Sequence, residues 1–217
     1  MKLFRPVRTN RINQRFGDDR ACVRLVDGLP VQPMEVINKT GLSCPVGFGS
    51  LYRSLGLSGH NGQDNAAWHG EPVYHCADFI GIMTTEHDQD GGLGVDVISQ
   101  EPVLKCTENG CSETHYIKIR YWHGMSAVGY DGKVIKPGDE IMKADSSGAS
   151  SGDHLHWAPK WCNKDGSPSH PFNGYRGCFS PTPYLNNDMF VCDEMDKPEA
   201  KIGIIGQLQR LILSLKK

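Results

Sequence analysis

The segment 115–125, HYIKIRYWHGM, constrains the fold most strongly, because apolar side chains alternate in it with charged or polar ones. Alternation with a period of two places one set of side chains on each face of a β-strand. The segment 72–86, PVYHCADFIGIMTTE, is rich in β-branched and aromatic residues and is also typical of a strand. The 25 glycines and 13 prolines predict many turns between short elements. We therefore predict an all-β fold with one main domain.

Turn signals divide the rest of the chain into shorter elements. Between the two strands, a glycine-rich start predicts an elaborated hairpin connection that includes a short strand at 94–99, GVDVIS. The segment KVIKPGDEIMK predicts a turn at Pro137 and Gly138 with short strands on either side. A Ser/Gly-rich loop then leads to a predicted strand that carries His154 and His156.

The C-terminal part of the chain changes character twice. Residues 159–192 are rich in Pro, Gly, Asn and Cys and predict a loop-rich stretch that wraps the core. In the segment 197–217, apolar residues recur at helical spacing: Ile202, Ile205, Leu208, Leu211, Ile212 and Leu215. We predict an amphipathic terminal helix that packs on the domain or contacts a partner helix, with a membrane-surface helix as the alternative. The predicted organisation is a domain at 1–158, an extension at 159–196 and this helix.

Charge and hydropathy limit the classes of partner. The net charge of −2 gives no reason to expect nucleic acid or an anionic membrane as the main partner. No run approaches the roughly 20 apolar residues that cross a bilayer, so we predict no membrane span. The N-terminal segment MKLFRPVRTNRINQRFG is positively charged but lacks the apolar region of a secretory signal. We expect the chain to act where it is made or to be delivered by another route.

The cysteine pattern favours disulfides over a thiolate metal site. The chain has 8 cysteines, an even number, and none of them form a C-x-x-C pair. We predict that at least some of them are bridged, and the stretch CTENGC suggests a tight loop closed between Cys106 and Cys111. Reduced cysteines that pack in the core are the alternative.

The stretch HNGQD contains two side chains that bind metals, His60 and Asp64. On a helix they would share a face, but Asn61 and Gly62 between them are poor helix residues. On an extended strand, positions i and i+4 also share a face, because side chains alternate. We therefore predict that the two residues lie on one face of a strand.

A second stretch, HLH, places His154 and His156 on one face of a strand and Leu155 on the other. If two such strands are neighbours, His60 and Asp64 meet one or both of these histidines. Two imidazoles and one carboxylate suit a single Zn²⁺ ion and leave a fourth position for water. Zinc lowers the pKa of its water and polarises a carbonyl, which favours hydrolysis.

Four motifs follow one another between residues 10 and 158: RINQRFG, HNGQD with GEPV after it, YWHGM, and a Ser/Gly loop before HLHW. In content and order they resemble those of the lysostaphin-like, LytM-type zinc metalloendopeptidases, whose fold is called the duplicated hybrid motif. The resemblance implies an antiparallel β-sheet or sandwich core. The segment 84–114 departs from the family pattern as a longer insertion, so the resemblance does not indicate which peptide bond is cut.

The resemblance also implies roles for individual residues and a substrate. It places His60, Asp64 and His156 as ligands of one zinc ion, and His154 and His123 as the two catalytic histidines. His154 would take a proton from water, and His123 would donate a hydrogen bond to the developing oxyanion. The implied substrate is the peptide part of bacterial peptidoglycan, at the cell envelope or outside the cell. Without a signal peptide, delivery in a phage virion or processing from a longer precursor is expected.

Two other classes of function are compatible with the sequence. The first is a catalytically inactive binding or structural module, in a phage tail or as a regulator of wall enzymes, although the intact ligand set argues against it. The second is a metal-dependent lyase or another hydrolase on a small β-barrel. For that second class we would expect a further carboxylate ligand or a second metal pair.

The remaining aromatic and imidazole side chains receive no catalytic role. Three aromatic residues near the motifs, Tyr121, Trp122 and Trp157, either line a substrate groove or pack in the core. Five histidines match no motif and are expected at the surface or in packing: His69, His75, His87, His115 and His170.

Overall fold

The structure, a computed structural model, describes residues 1–31, 35–88, 91–107 and 110–186 of the chain. Within this part the regular structure is almost entirely β-strand, and all pairs of neighbouring strands are antiparallel, which confirms the predicted all-β fold. No helix in these ranges is long and apolar enough to cross a membrane. The predicted terminal helix at 197–217 and Cys192 lie outside the described residues.

The elements are short, as the glycine and proline content predicts. In chain order they are β1 (Ile12–Gln14), β2 (Ala21–Val26), β3 (Leu29–Pro30), β4 (Val36–Asn38), β5 (Phe48–Ser50), helix α1 (Leu51–Ser54), β6 (Gln63–Ala66), β7 (Pro72–Tyr74), β8 (Gly81–Asp88), β9 (Gly92–Ser99), β10 (Val103–Thr107), β11 (Gly110–Ala127), β12 (Val134–Ile135), β13 (Glu140–Ala144), β14 (His154–Cys162) and a 3₁₀ turn (Thr182–Tyr184).

Ten of the strands form one large sheet around β11. Its main order is β1-β6-β14-β11-β9-β8-β12, and β10 and β13 also pair with β11, while β7 pairs with β13. The alternation predicted for β11 is confirmed, because Ile117, Ile119 and Tyr121 are fully buried on one face. Leu155 and Trp157 of β14 are equally buried in the same apolar cluster. This face of the large sheet therefore encloses the core.

The opposite face of the same strands is polar although much of it is buried. Asp96 on β9 forms salt bridges with Lys118 and Arg120 on β11, at 3.2 and 2.7 Å. Burial raises the pKa of Asp96, but hydrogen bonds and charge from Arg120 and Lys118 outweigh it and hold that pKa below its usual range. The two histidines of the HLH motif extend from this polar face.

Residues 18–57 form a separate small unit between β1 and the HNGQD stretch. Strands β2 to β5 make a four-stranded sheet, and α1 packs Tyr52 against Ala21 and Leu57 in a second apolar cluster. A disulfide joins Cys22 to Cys44 within this unit. The general prediction that some cysteines are bridged is therefore confirmed.

Three of the other cysteines do not form bridges in the structure. Cys76, Cys162 and Cys178 are buried free thiols. The backbones of Cys106 and Cys111 are partners in the β10–β11 register. Closure of a loop between those two residues stays a prediction.

Two predicted strands were wrong in extent. The segment 72–86 is not one strand, because the chain turns away from the sheet between β7 and β8. His75 stabilises this turn, with its Nε2 atom 2.9 Å from the carbonyl oxygen of Phe79. The strand predicted around HLH continues past residue 158 as far as Cys162, so the predicted domain and extension share β14.

The segment 84–114 is not a hairpin insertion but part of the large sheet. Strand β9 is eight residues long and lies between β8 and β11, and β10 pairs with the first half of β11. The turn at Pro137 and Gly138 is confirmed by a bond from the Asp139 N–H to the Lys136 carbonyl. Its flanking strands, however, pair with β8, β11 and β7 instead of with each other.

Candidate metal centre

A cross-strand pair forms the base of the centre. Strands β6 and β14 are antiparallel, and their register sets Asp64 directly opposite His156. Residues opposite each other on one face of such a pair have Cβ atoms about 4.5–5.5 Å apart, within reach of a shared ion. The Oδ1 atom of Asp64 lies 3.0 Å from Nδ1 of His156, and both residues are buried.

His60 reaches the same point from outside the strand. The prediction that it shares a strand with Asp64 was wrong, because β6 begins at Gln63 and His60 lies in the bend before it. Two backbone hydrogen bonds position it, from the Gly17 N–H to its carbonyl and from its own N–H to the Asp18 carbonyl, both 2.8 Å. The chain that follows β1 therefore holds this ligand in place.

The ring of His60 is oriented for ligation. Its Nδ1 atom is 3.2 Å from the carbonyl oxygen of Arg15, a partner that accepts only, so Nδ1 carries the hydrogen and donates it. The lone pair is then on Nε2, which lies 2.9 Å from Nδ1 of His156 and 3.2 Å from Oδ1 of Asp64. A carbonyl on the second ring nitrogen is the usual outer partner of a metal-binding histidine.

The three donor atoms fit a zinc ion. Bonds of about 2.0–2.2 Å at tetrahedral angles place ligand atoms roughly 3.3–3.6 Å apart. The sides of the observed triangle are 2.9, 3.0 and 3.2 Å, so the three atoms would move slightly apart to hold the ion. The ligand types, two imidazoles and one carboxylate, are those of open zinc sites. The residues of this centre that could hold the metal are therefore His60, Asp64 and His156.

The charge states also suit a cation. Burial raises the pKa of Asp64, but the charges and hydrogen bonds of His60 and His156 outweigh it and hold that pKa far below its usual range. Burial lowers the pKa of His156, so its neutral, ligating form is favoured. An ionised Asp64 beside the neutral ring of His156 is an arrangement that favours a bound cation.

His154 lies beside this cluster on the same face of β14. Its Nδ1 atom is 2.8 Å from the carbonyl oxygen of Gly152 and donates a hydrogen bond to it. The neutral ring therefore has its lone pair on Nε2, 3.7 Å from Oδ2 of Asp64. The ring thus presents a proton acceptor at the edge of the metal centre.

A β-bulge brings His123 to the same place. In β11, Ile117, Ile119 and Tyr121 face the core, and strict alternation would send residue 123 there as well. Tyr121 pairs with Val95 and Gly124 with Leu93, so β11 uses three steps where β9 uses two. His123 also has a left-handed φ of 65°. Such a bulge redirects a side chain, as is common next to active sites.

The environment of His123 bears on its predicted role as an oxyanion donor. Its Nδ1 is 2.7 Å from the carbonyl of Ser147 and donates to it, so the neutral ring has no hydrogen on Nε2. Burial, with the nearby charges of His154 and His156, lowers the pKa of His123 to about 4. A neutral His123 therefore accepts at Nε2 and becomes an oxyanion donor only after it has taken up a proton. Its ring centroid lies 4.6 Å from that of His154.

Several supporting residues could not be identified as such from the sequence. The carbonyls of Arg15, Ser147 and Gly152 orient three rings, but any residue type supplies a carbonyl. Gly62 is different, because a Cβ atom there would lie 2.5 Å from Nε2 of His156. A glycine between two candidate ligands was the available signal for this close approach.

The three aromatic residues near the motifs separate into two groups. Tyr121 and Trp157 are fully buried in the core. Trp122 lies on the polar face, with its ring centroid 5.7 Å from that of His156 and 5.0 Å from the guanidinium carbon of Arg120. It therefore packs against the candidate ligand His156, a position that the sequence left open.

The other five histidines lie outside the centre. His75 is buried in the core and His115 packs against Trp161. His69 is exposed and its Nδ1 lies 2.9 Å from Oδ1 of Asp145. The side chains of His87 and His170 are exposed.

Comparison with known proteins gives distant similarities. A scan against models of protein families found no match, and a search of curated proteins found none either. Among solved structures, a zinc containing peptidase from Vibrio cholerae is similar, with 16% identity and a TM-score of 0.49 over 87% of this chain and 41% of that one. This chain thus spans about two fifths of the length of that peptidase.

Two further solved structures are similar at comparable levels. The catalytic domain of the antimicrobial peptidase lysostaphin from Staphylococcus simulans has 21% identity and a TM-score of 0.44, over 58% of this chain and 79% of that one. LytU has 21% identity and a TM-score of 0.44, over 82% and 85%. Lysostaphin gives its name to the family that the sequence motifs resemble.

Proposed function

We propose that this protein is a zinc-dependent endopeptidase that hydrolyses stem peptides or cross-links of bacterial peptidoglycan. One observation carries the proposal: three ligand atoms of His60, Asp64 and His156 converge within 3.2 Å, and two further histidines present proton-accepting Nε2 atoms beside them. A metal site with only a structural role does not require two neighbouring proton acceptors. A hydrolase needs proton acceptors next to the metal.

The metal and its ligands would supply the electrophilic part of the reaction. When bound, zinc lowers the pKa of a water molecule and polarises the scissile carbonyl. Asp64 keeps its negative charge at neutral pH, because its pKa is held far below the usual range. The Arg15 carbonyl keeps Nε2 of His60 free of hydrogen and thus able to bind the ion.

His154 and His123 would move the protons. As the oxygen of water adds to the carbonyl carbon, Nε2 of one ring accepts a proton from that water. The ring, now an imidazolium, donates this proton to the leaving nitrogen while the C–N bond breaks. The other ring stays neutral, so its Nε2 atom can accept a hydrogen bond from the imidazolium or from water. With centroids 4.6 Å apart, the two rings would repel each other if both were charged.

The substrate and place of action follow from the motif resemblance and are part of the proposal. The order of the four motifs favours peptidoglycan peptides over other amides and places the reaction at the cell envelope or outside the cell. Delivery in a phage virion or from a longer precursor would bring the chain there. A partner contact through the segment 197–217 is a further proposal, on residues outside the described part.

The experiment combines metal analysis with digestion of purified peptidoglycan. We expect about one zinc per chain and soluble fragments whose new amino ends are identified by mass spectrometry. His156→Ala should lose both metal and activity. His154→Gln should keep the metal and lose about 10²–10⁴-fold in rate, as removal of a general base does. His170→Ala, an exposed histidine, is the matched control.

Two outcomes would contradict the proposal. Full activity of His156→Ala or of metal-free protein would exclude zinc hydrolysis. A wild-type chain with bound zinc that cleaves no wall preparation would instead favour the inactive binding module.

A further inference from the structure

A second polar cavity lies on the face of β6 that points away from the metal centre. Asp64 faces the metal centre, so its neighbours Gln63 and Asn65 face the other way, and both are almost fully buried. They line a cavity of about 220 Å³ together with Arg5, Ile12 and Asn186. We call this space the rear cavity. Three polar atoms on its walls, Oε1 of Gln63, Nδ2 of Asn65 and Nε of Arg5, have no hydrogen-bond partner among the described residues.

Hydrogen bonds within the wall determine which atoms face the rear cavity. Oδ1 of Asn65 accepts two hydrogen bonds, from Nε1 of Trp157 at 2.9 Å and from Nε2 of Gln63 at 3.0 Å. A reversed Asn65 amide would set its NH₂ group against the indole N–H, which only donates. Nδ2 of Asn65 is therefore a free donor, and Oε1 of Gln63 is a free acceptor. Because buried polar groups are normally paired, this array is built for a ligand or for ordered water.

Arg5 adds a positive charge to this array. Its Nη1 atom donates to the carbonyl of Arg8 at 3.0 Å, which leaves Nε for another acceptor. Among the described residues no carboxylate forms a salt bridge with Arg5, although the rest of the chain is rich in such pairs. A guanidinium beside an amide donor is a typical partner for a carboxylate.

We propose that the rear cavity binds the free carboxylate end of a peptide. The carboxylate accepts from Nε of Arg5 and Nδ2 of Asn65, and the amide N–H of the same terminal residue donates to Oε1 of Gln63. The cavity is smaller than the about 300–1,000 Å³ of ordinary small-molecule sites, so it suits one N-acylated residue and not a longer segment. The binding does not depend on the metal or on hydrolysis.

The test uses the full-length protein and two small probes that differ only in charge. N-Acetylalanine carries the carboxylate and the amide N–H, while N-acetylalanine amide lacks the carboxylate. Each is titrated into ¹⁵N-labelled protein while the Nε–H signal of Arg5 and the side-chain amide signals of Asn65 and Gln63 are followed. We expect saturable shifts of these signals with N-acetylalanine. N-Acetylalanine amide should bind at least about tenfold more weakly.

Variants and metal removal separate this site from others. Arg5→Gln should weaken N-acetylalanine binding by about tenfold or more, and Arg11→Gln, which changes an exposed neighbour, should bind like wild type. Ile12→Phe, which fills the cavity and leaves Arg5 in place, should also weaken binding and serves if Arg5→Gln does not fold. Because a carboxylate also binds zinc, the titration is repeated after treatment with EDTA, and the shifts should persist.

Three results would overturn the proposal. Equal binding of the two probes would show that the carboxylate is not recognised. Loss of all shifts with EDTA would place the ligand at the metal centre. If the signals of Arg5, Asn65 and Gln63 do not move up to the solubility limit of N-acetylalanine, and their hydrogens exchange only with solvent, the rear cavity holds ordered water only. If the wild-type protein binds N-acetylalanine in the rear cavity but hydrolyses no peptidoglycan, the proposed function is contradicted and the carboxylate site is not.

Discussion

A methyl group added at Gly62 would test how closely the backbone of the HNGQD stretch holds a metal ligand. The Cβ atom of Gly62→Ala would lie 2.5 Å from Nε2 and 2.6 Å from Cε1 of His156, and 2.7 Å from the carbonyl oxygen of Trp157. Ordinary contacts are about 3.5 Å or longer, so the overlap is roughly 1 Å. Since the Trp157 carbonyl belongs to the β6–β14 pairing, the imidazole ring is the part that yields.

Gly62→Ala should lower zinc affinity in addition to lowering the stability of the fold. Overpacking of this degree costs about 1–3 kcal/mol of stability. Displacing the contacts that orient a ligand lowers metal affinity by about 10–100-fold, or roughly 1.4–2.7 kcal/mol. Gly81→Ala is a matched control, with a Cβ atom 2.4 Å from Cγ1 of Val97 and 2.8 Å from the carbonyl of Ile98. Its overlap is similar, but it lies in the core and touches no ligand.

The assay measures zinc affinity by competition with a chelator and stability of the metal-free proteins by urea unfolding. Both variants should be destabilised, and only Gly62→Ala should lose zinc affinity. The reasoning would be refuted if Gly62→Ala bound zinc as tightly as wild type. It would also be refuted if Gly81→Ala lost affinity to the same extent.

Two further predictions concern stability. Burial lowers the pKa of His75 to about 4, so the folded state favours its neutral ring; the resulting stability is present above pH 6.5 and is lost as the pH falls towards 4, by up to roughly 3 kcal/mol. His75→Gln should flatten this part of the stability–pH curve, and the exposed His87→Gln should not. If His75→Gln and wild type had the same slope, burial of His75 would not be the cause. The Cys22–Cys44 bridge spans 22 residues, so Cys22→Ser with Cys44→Ser should cost about 3 kcal/mol in the urea unfolding of the small unit. Asp18, which bonds the His60 backbone, lies outside the loop that the bridge closes, so zinc affinity should be unchanged. A loss of zinc would show that the bridge also positions His60.

Local periodicity explains which parts of the fold were predictable. The alternation in β11 and the HLH pair in β14 are properties of neighbouring residues, so the faces of Ile117, Ile119 and Leu155 follow from the sequence. The sequence also predicted that Asp64 meets one or both histidines of HLH, because each motif has its polar side chains on one strand face. His60 reaches Asp64 and His156 by a different route than predicted, since a bend and not a strand brings it to them.

The face of His123 could not be derived from periodicity. Its neighbours Ile119 and Tyr121 predict an inward side chain, and only the bulge opposite β9 reverses it. Bulges depend on how two distant strands are paired, which no local pattern contains. The motif YWHGM indicated a catalytic residue here by resemblance, without a physical reason for its direction.

The glycine-rich start of the segment 84–114 was misleading for a related reason. Position 94 lies within β9, and only glycine fits there, because a Cβ atom would be 2.4 Å from Cδ1 of Trp122. A glycine that makes room for a neighbouring indole looks, in the sequence, like a glycine that forms a turn. The strand was therefore predicted too short and assigned to a connection.

The register of β6 against β14 has a consequence for how such a centre diversifies. The separation of Asp64 and His156 is set by the spacing of two hydrogen-bonded strands, a dimension common to all sheets. Loops can therefore lengthen, shorten or be exchanged around the rim while the ligand geometry stays the same. In the proposed hydrolase, selectivity for one peptide bond over another can then evolve separately from the bond-breaking chemistry.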